Sequence, residues 1–247
     1  MLAWSIGSRE DWKAKLATER PDAVAIATPA SLHAVMALAA LDHDLPVFIE
    51  KPMATSLGDA ERIRDAAARK KLPVVVDHIH LFNPAWRELT RRIHELGVLR
   101  EAESEAGNAG PFRADITPLW DWGAHDIAMA IDLGGVPVAV AGRDDEDGNH
   151  RIEMTFASGL VWRARVGSRF TAKTRRAVVR GSTGEAVWDD LDPVRLRIGG
   201  MPATSIPESP LAVALGEFAQ AVGMKAQVAA CSGADLGVAV VRILVGL

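Results

Sequence analysis

The chain has 247 residues, enough for one large α/β domain or two smaller ones with a substantial buried core. Its apolar fraction of 49% and charged fraction of 24% are those of an ordinary globular protein, and a formal charge of −4 provides no basic surface for nucleic acid or anionic membrane. The single cysteine, Cys231, excludes a disulfide framework and a cysteine-based zinc site within the chain. Charges interrupt every apolar run before about 18 residues, so no membrane span is expected. Met1-Leu2-Ala3-Trp4-Ser5 lacks the basic start and long apolar stretch of a secretory signal, and the cytoplasm is the expected compartment. No tyrosine occurs, which removes one common proton donor.

The first half alternates apolar strands with helical patterns. Ala23-Val24-Ala25-Ile26-Ala27 reads as a strand buried on both faces, ended by Thr28-Pro29, after which Ser31 is expected to cap a helix. Leu32, Val35, Met36 and Ala39 recur at helical spacing. Val47-Phe48-Ile49 is the next strand. Ser56 then starts a helix that buries Ala60, Ile63 and Ala67, and Pro73-Val74-Val75-Val76 is a third strand. Such strand–helix alternation predicts right-handed crossovers in a parallel sheet, followed by a helix from about Pro84 to Leu96.

From Val98 the rhythm changes. Ile152, Met154 and Phe156 alternate with Arg151, Glu153 and Thr155; after Ala157-Ser158-Gly159, Trp162, Ala164 and Val166 alternate with Arg163 and Arg165. This is an antiparallel hairpin with one wet face. Arg175–Arg180 and Glu185–Trp188 flank a second turn, and helical patterns return at Pro210–Val222 and Gly233–Leu247. The expected division is residues 1–96 and 97–247, with the C-terminal helix packing back on the first part.

Three segments carry chemistry. Thr28-Pro29, with His33 beyond, stands at the C-terminal end of a parallel strand, where open α/β sheets bind ligands; a plain proline-punctuated loop is the alternative. Glu50-Lys51-Pro52 follows the next strand end. Charges at the exit of a buried strand are costly unless solvated or paired, and Pro52 restricts Lys51 to an extended conformation that aims its amine. A surface ion pair is the other reading. In Leu119-Trp120-Asp121-Trp122-Gly123-Ala124-His125-Asp126-Ile127, Asp121 and His125 are one helical turn apart, so a carboxylate can orient an imidazole. A capping Asp121 with a structural His125 remains open. The spacing also suits a metal, but no third or fourth ligand lies nearby, so no metal site is assigned.

Together these segments resemble the Gfo/Idh/MocA oxidoreductases, the family of glucose–fructose oxidoreductase and inositol dehydrogenase. The resemblance runs from about Pro21 to Gly135. It rests on Asp22–Pro29 with His33, on Glu50-Lys51-Pro52, and on Asp121 with His125. Leu119-Trp120 and His125-Asp126-Ile127 are similar to members acting on nucleotide-linked amino sugars. The resemblance implies an α/β fold: an incomplete Rossmann-like parallel sheet, then an α+β domain with a large, mostly antiparallel open sheet. It implies hydride transfer between NAD or NADP and a carbon of a sugar, sugar nucleotide or cyclitol. Lys51 and His125 would handle protons, with Asp121 orienting His125 or a substrate hydroxyl. Thr28, Pro29, His33, Glu50, Lys51, Pro52 and His78 would line the cofactor, and His80 would join Lys51, Asp121 and His125 on the substrate. A homo-oligomer, dimer or tetramer, formed through the C-terminal sheet is also implied.

The sequence departs from the family at its front. Members open with a strand, a Gly-x-Gly-x-x-Gly turn and a helix whose N-terminus holds the pyrophosphate. Here Gly7 is isolated and the next glycine is Gly58. The expectation is therefore that the Gly-rich first unit is missing and that dinucleotide binding is weakened. Two other functions compete: a non-catalytic sugar-binding or scaffold protein that has lost its cofactor, and a nucleotide-independent lyase or hydrolase using Lys51 and His125.

Overall fold

The structure, a computed structural model, describes residues 12–19, 21–110, 115–203, 208–224 and 232–247. After α1 (Trp12–Glu19), the chain alternates strand and helix: β1 (Val24–Ile26), α2 (Ala30–Asp42), β2 (Val47–Glu50), α3 (Leu57–Lys70) and β3 (Val74–Asp77). The strands pair in parallel in the order β1-β2-β3. Val47, Phe48, Ile49 and Val74–Val76 are buried, as continuous β-branched and aromatic runs require of strands covered on both faces. Ser56 caps α3, accepting from the Asp59 amide, and Ala60, Ile63 and Ala67 are buried as expected.

Two details of this half differ from the sequence reading. Ala25 is exposed, because β1 is the edge of this sheet among the described residues and only part of it is covered. Helix α2 begins one residue before Ser31, with Pro29 in the cap position and no side-chain cap. Its buried face is His33, Met36, Ala37, Ala40 and Leu41, while Leu32 and Val35 are exposed. A helix apolar nearly all round carries little periodic information about which stripe faces inward.

After a 3₁₀ turn at Ile79–Phe82 come α4 (Pro84–Arg92), β4 (Leu99–Gly107), α5 (Ala124–Gly134), β5 (Ala139–Asp144), β6 (His150–Thr155), β7 (Val161–Gly167), β8 (Thr174–Gly181), β9 (Glu185–Asp189), β10 (Leu196–Ile198) and β11 (Met201–Pro202). The strands form one eight-stranded sheet, ordered β11-β10-β9-β8-β4-β7-β6-β5. All neighbours are antiparallel except β4 and β7. The predicted hairpin is β6–β7, with Ile152 opposite Ala164 and Met154 opposite Trp162. Strand β4 escaped the sequence reading because its inward residues are small (Ala102, Ser104 and Ala106) and its outward residues are Glu101, Glu103 and Glu105.

The two faces of this sheet differ in chemistry. Register places Ala102 beside Trp162 and Val179, and Ala177 beside Trp188, on the face where Trp86 of α4 packs. The Trp86 ring meets Trp162 at 6.3 Å and Trp188 at 5.8 Å, both edge-on, and Trp86 Nε1 donates to Asp132 at 2.9 Å. On the opposite face Arg163 pairs with Glu153 at 2.8 Å, and Arg180 with Glu103 at 2.8 Å and Glu185 at 2.7 Å.

Two compact units result. The first comprises the described residues within Met1–His78 and Ala214–Val245; the second those within Ile79–Val213 plus Gly246–Leu247. The division therefore falls at His78 rather than at residue 96, since Trp86 anchors α4 within the second unit. Helix α6 (Pro210–Met224) places Phe218 5.7 Å from Phe48. In α7 (Ala234–Gly246), Gly237 lies so close to Met53 and Val76 that a Cβ there would meet the Met53 Sδ at 2.8 Å. The C-terminal helix up to Val245 is thus part of the first unit.

Trp86→Ala is expected to cost about 3–5 kcal/mol, because it empties a fully buried site between two other tryptophans and strands the Asp132 carboxylate. Urea unfolding monitored by circular dichroism measures the loss.

Candidate active site

Parallel pairing puts the C-terminal ends of β1, β2 and β3 on one edge, and the first group of candidate residues stands there. His33, 1% exposed, reaches from the first turn of α2 to both adjoining loops. Its Nδ1 lies 2.8 Å from the Pro52 carbonyl oxygen and its Nε2 2.9 Å from that of Thr28. The Thr28-Pro29 and Lys51-Pro52 segments are thereby tied together, and the Lys51-Pro52 peptide is cis.

Glu50 and Asp77 are register partners across β2 and β3. Burial pushes the Asp77 carboxyl up to about 7, assisted by the negative charge of Glu50 and a hydrogen bond shared with it, and only partly opposed by Lys51. His78, also 1% exposed, is pushed down to about 3 by burial and then by the positive charge of Lys51, so its ring is neutral. Neither His78 ring nitrogen, nor Asp77 Oδ1, has a hydrogen-bond partner among the described residues.

The second group lies on the tryptophan-bearing side of the large sheet. His80, from the 3₁₀ turn, has its ring 4.8 Å from that of His125 and 5.3 Å from Trp188. Leu119–Gly123 is a π-type turn running into α5, whose cap position is Gly123. Asp121 is therefore not the N-cap of α5, which removes the capping alternative. Arg175 faces the same side, opposite Ala106, with its guanidinium 5.2 Å from the Trp122 ring centroid. Burial lowers its pKa from the ordinary value, and the carboxylates of Asp190, Asp126 and Asp121 pull it back up. Asn83 caps α4, accepting from the Ala85 amide at 2.9 Å, and donates to Asp190 at 2.8 Å.

The structure thus gathers Thr28, Pro29, His33, Glu50, Lys51, Pro52 and His78 in the first unit, and His80, Asp121 and His125 in the second. Sequence reasoning missed Asp77, Asn83, Arg175, Trp188 and Asp190. Only Asn83-Pro84 carried a readable signal, an N-cap asparagine before a proline at the first helical position.

Asp126 is 2% exposed, and burial raises its carboxyl to about 6 against a hydrogen bond with Ser104 and the charge of Arg175. The folded chain therefore holds this proton more tightly than the unfolded one, whose carboxyl has the ordinary value of 3.8. This group's contribution to stability is complete below the unfolded value and is lost as pH rises from about 4 to about 6. Asp126→Asn is expected to flatten that part of the stability–pH curve and to raise the unfolding midpoint at pH 8, read by urea titration at several pH values.

Comparison with known proteins extends these observations. The family model described as "Oxidoreductase family, NAD-binding Rossmann fold", GFO_IDH_MocA, matches residues 3–78. A solved structure described as an oxidoreductase, from Magnetospirillum magnetotacticum MS-1, is 33% identical with a TM-score of 0.87; the match covers 96% of this chain and 83% of that one. UDP-N-acetylglucosamine 3-dehydrogenase from Acidithiobacillus ferrooxidans is 30% identical over 149 residues, 57% of this chain and 46% of that protein. The NADP(+)-dependent scyllo-inositol 2-dehydrogenase IolU of Bacillus subtilis is 23% identical over 214 residues, 76% of this chain and 64% of that protein. The chain thus spans less than two thirds of either curated relative. A family model on the first strands, and a solved relative matched across nearly the whole chain, lead to one assignment: the chain belongs to the Gfo/Idh/MocA oxidoreductase family.

Proposed function

We propose that the chain acts as an NAD- or NADP-dependent oxidoreductase that moves a hydride to or from the hydroxyl-bearing carbon of a sugar, sugar nucleotide or cyclitol. The observation that carries this reading is the position of Lys51, directly after β2 on the C-terminal edge of the parallel sheet, in a loop tied down by His33. The sugar-nucleotide and cyclitol dehydrogenases among the relatives support the substrate class.

The C-terminal edge of the parallel sheet fits a nicotinamide. His78 offers buried ring nitrogens with no partner among the described residues, which suits a polar group such as a carboxamide. Thr28, Pro29, Glu50 and Pro52 are the other residues that would border it. When bound, the dinucleotide supplies the hydride acceptor or donor. The chain's residues handle the proton. As a C–H hydride leaves an alcohol carbon, the hydroxyl proton must go to a base within hydrogen-bond reach, and Lys51 Nζ takes it. His125 is the second proton-handling group, and Asp121 orients His125 or a neighbouring substrate hydroxyl. His80, its ring tilted against His125 and edge-on to Trp188, would join them on the substrate. The single cysteine remains a thiol in a reducing compartment, which fits the cytoplasm.

We also infer self-association through the charged face of the large sheet. Its interleaved Glu103, Glu105, Arg163, Arg165, Arg176 and Arg180 make a surface complementary to a second copy of itself. Sedimentation at increasing salt should then show the oligomer weakening, because exposed ion pairs are screened; a salt-independent monomer overturns the inference.

Lys51→Met is expected to lower turnover by on the order of 10²–10⁴-fold, with NAD(H) or NADP(H) affinity little changed in fluorescence titrations. Turnover within about tenfold of the parent removes Lys51 from the proton-handling role.

A further inference from the structure

The proposed reaction leaves Arg175 of the second unit unused. Arg175 lies on β8 on the covered face of the large sheet, in register with Ala106 of β4 and two residues before Ala177, which faces Trp188 of β9. Its guanidinium stands 5.2 Å from the centroid of the Trp122 ring, and Trp122 is itself held by a hydrogen bond from its Nε1 to Ser168 at 3.2 Å. A guanidinium stacked on an aromatic ring is held in orientation and still presents its N–H fork at the rim. The Nε of that fork is buried with no hydrogen-bond partner among the described residues. Buried donors are almost always paired, so one left open fits an acceptor brought from outside the chain. Trp188 Nε1, one strand away on the same face, is a second buried donor without a partner among the described residues.

The neighbouring carboxylates do not meet this need. Asp190, Asp126 and Asp121 act on Arg175 through their charge and not through a hydrogen bond. Asp190 is engaged elsewhere: its carboxylate accepts from Asn83 at 2.8 Å and pairs with Arg195 at 3.6 Å, and only its backbone amide meets Arg175, at the carbonyl oxygen. Asp126 is hydrogen-bonded with Ser104 and resists ionisation because it is buried. Asp121 is assigned above to His125 or to a substrate hydroxyl.

We propose that Arg175 determines the substrate class by binding an oxyanion, a carboxylate or a phosphate, carried on the sugar. The proposal rests on the reading of the chain as a sugar oxidoreductase and narrows it. Acidic or phosphate-bearing sugars, sugar nucleotides included, are its substrates, and neutral sugars and cyclitols are not. The planar fork matches two oxygens of either anion, and both anions are charged at neutral pH. An anionic substrate gives the guanidinium the ion pair that it lacks, whereas a neutral ring leaves a partly buried cation without one.

Binding tests this without turnover. Calorimetric titration with glucose, glucose 1-phosphate and glucuronate compares a neutral ring with the same ring carrying a phosphate or a carboxylate. One anionic sugar or both should bind about tenfold or more tightly than glucose, and the better of the two identifies the anion. Arg175→Met, of similar length and without charge, should erase that preference and leave the urea midpoint unchanged or raised, since no ion pair is broken. Arg175→Lys should keep a reduced preference, because an ammonium retains the charge and loses the fork. The assignment is overturned if the three sugars bind alike, if none binds, or if the preference survives in Arg175→Met. If the preference depends on Arg175 while no nicotinamide supports turnover of the preferred sugar, the proposed reaction fails and the anion site stands. Nicotinamide-dependent turnover of neutral sugars that is unchanged in Arg175→Met does the reverse.

Discussion

Parallel pairing of β1, β2 and β3 is the constraint on which the first unit depends. Strands running in one direction must deliver all their C-terminal ends to one edge, and the loops that leave them must climb back over the sheet as helices. Thr28-Pro29, Lys51-Pro52 and His78 are thus brought together without being near one another in sequence. His33 supports this adjacency, since its two ring nitrogens lie within hydrogen-bond distance of carbonyls of two different loops. Removing that ring would leave the two loops without their tie.

The second unit is organised by an opposite contrast. One face of its sheet is aromatic and covered, the other ionic and wet, and alternation along most of β4 and β7 keeps them apart. Trp86, Trp162 and Trp188 contribute large apolar area; the Trp86 and Trp162 ring N–H groups are paired, whereas Trp188 Nε1 has no partner among the described residues. Trp162 Nε1 donates to Ser104 at 3.0 Å, and Trp86 Nε1 to Asp132. Arg175 breaks the alternation. It carries a guanidinium onto the covered face, which is tolerable because Trp122 stacks on it and three aspartates surround it.

Both units therefore keep ionisable groups where burial is expensive. Burial opposes the ionisation of Asp77 in one, and of Asp126 and Arg175 in the other. A protein under selection for stability alone would fill such positions with apolar side chains of similar volume. Groups retained at this cost, at the ends of strands and at the start of a helix, are where proton chemistry is normally placed.

The sequence by itself determined the local periods: the runs at Val47 and Val74, the capped helix after Ser56, and the alternation of the β6–β7 hairpin. It also carried Glu50-Lys51-Pro52 and the Asp121–His125 spacing, because short motifs depend on neighbours along the chain. Strand β4 was not legible, since alanine, serine and glutamate have no strand preference of their own and acquire one only between β7 and β8. Nor was the buried stripe of α2, in a helix apolar on nearly every side. Only tertiary structure set Asp77 beside Glu50, Arg175 against Trp122 and His80 against His125, because burial and charge–charge proximity depend on register between strands distant in sequence. For the same reason the unit boundary moved from residue 96 to His78: one side chain, Trp86, finds its partners among strands that the chain has yet to form.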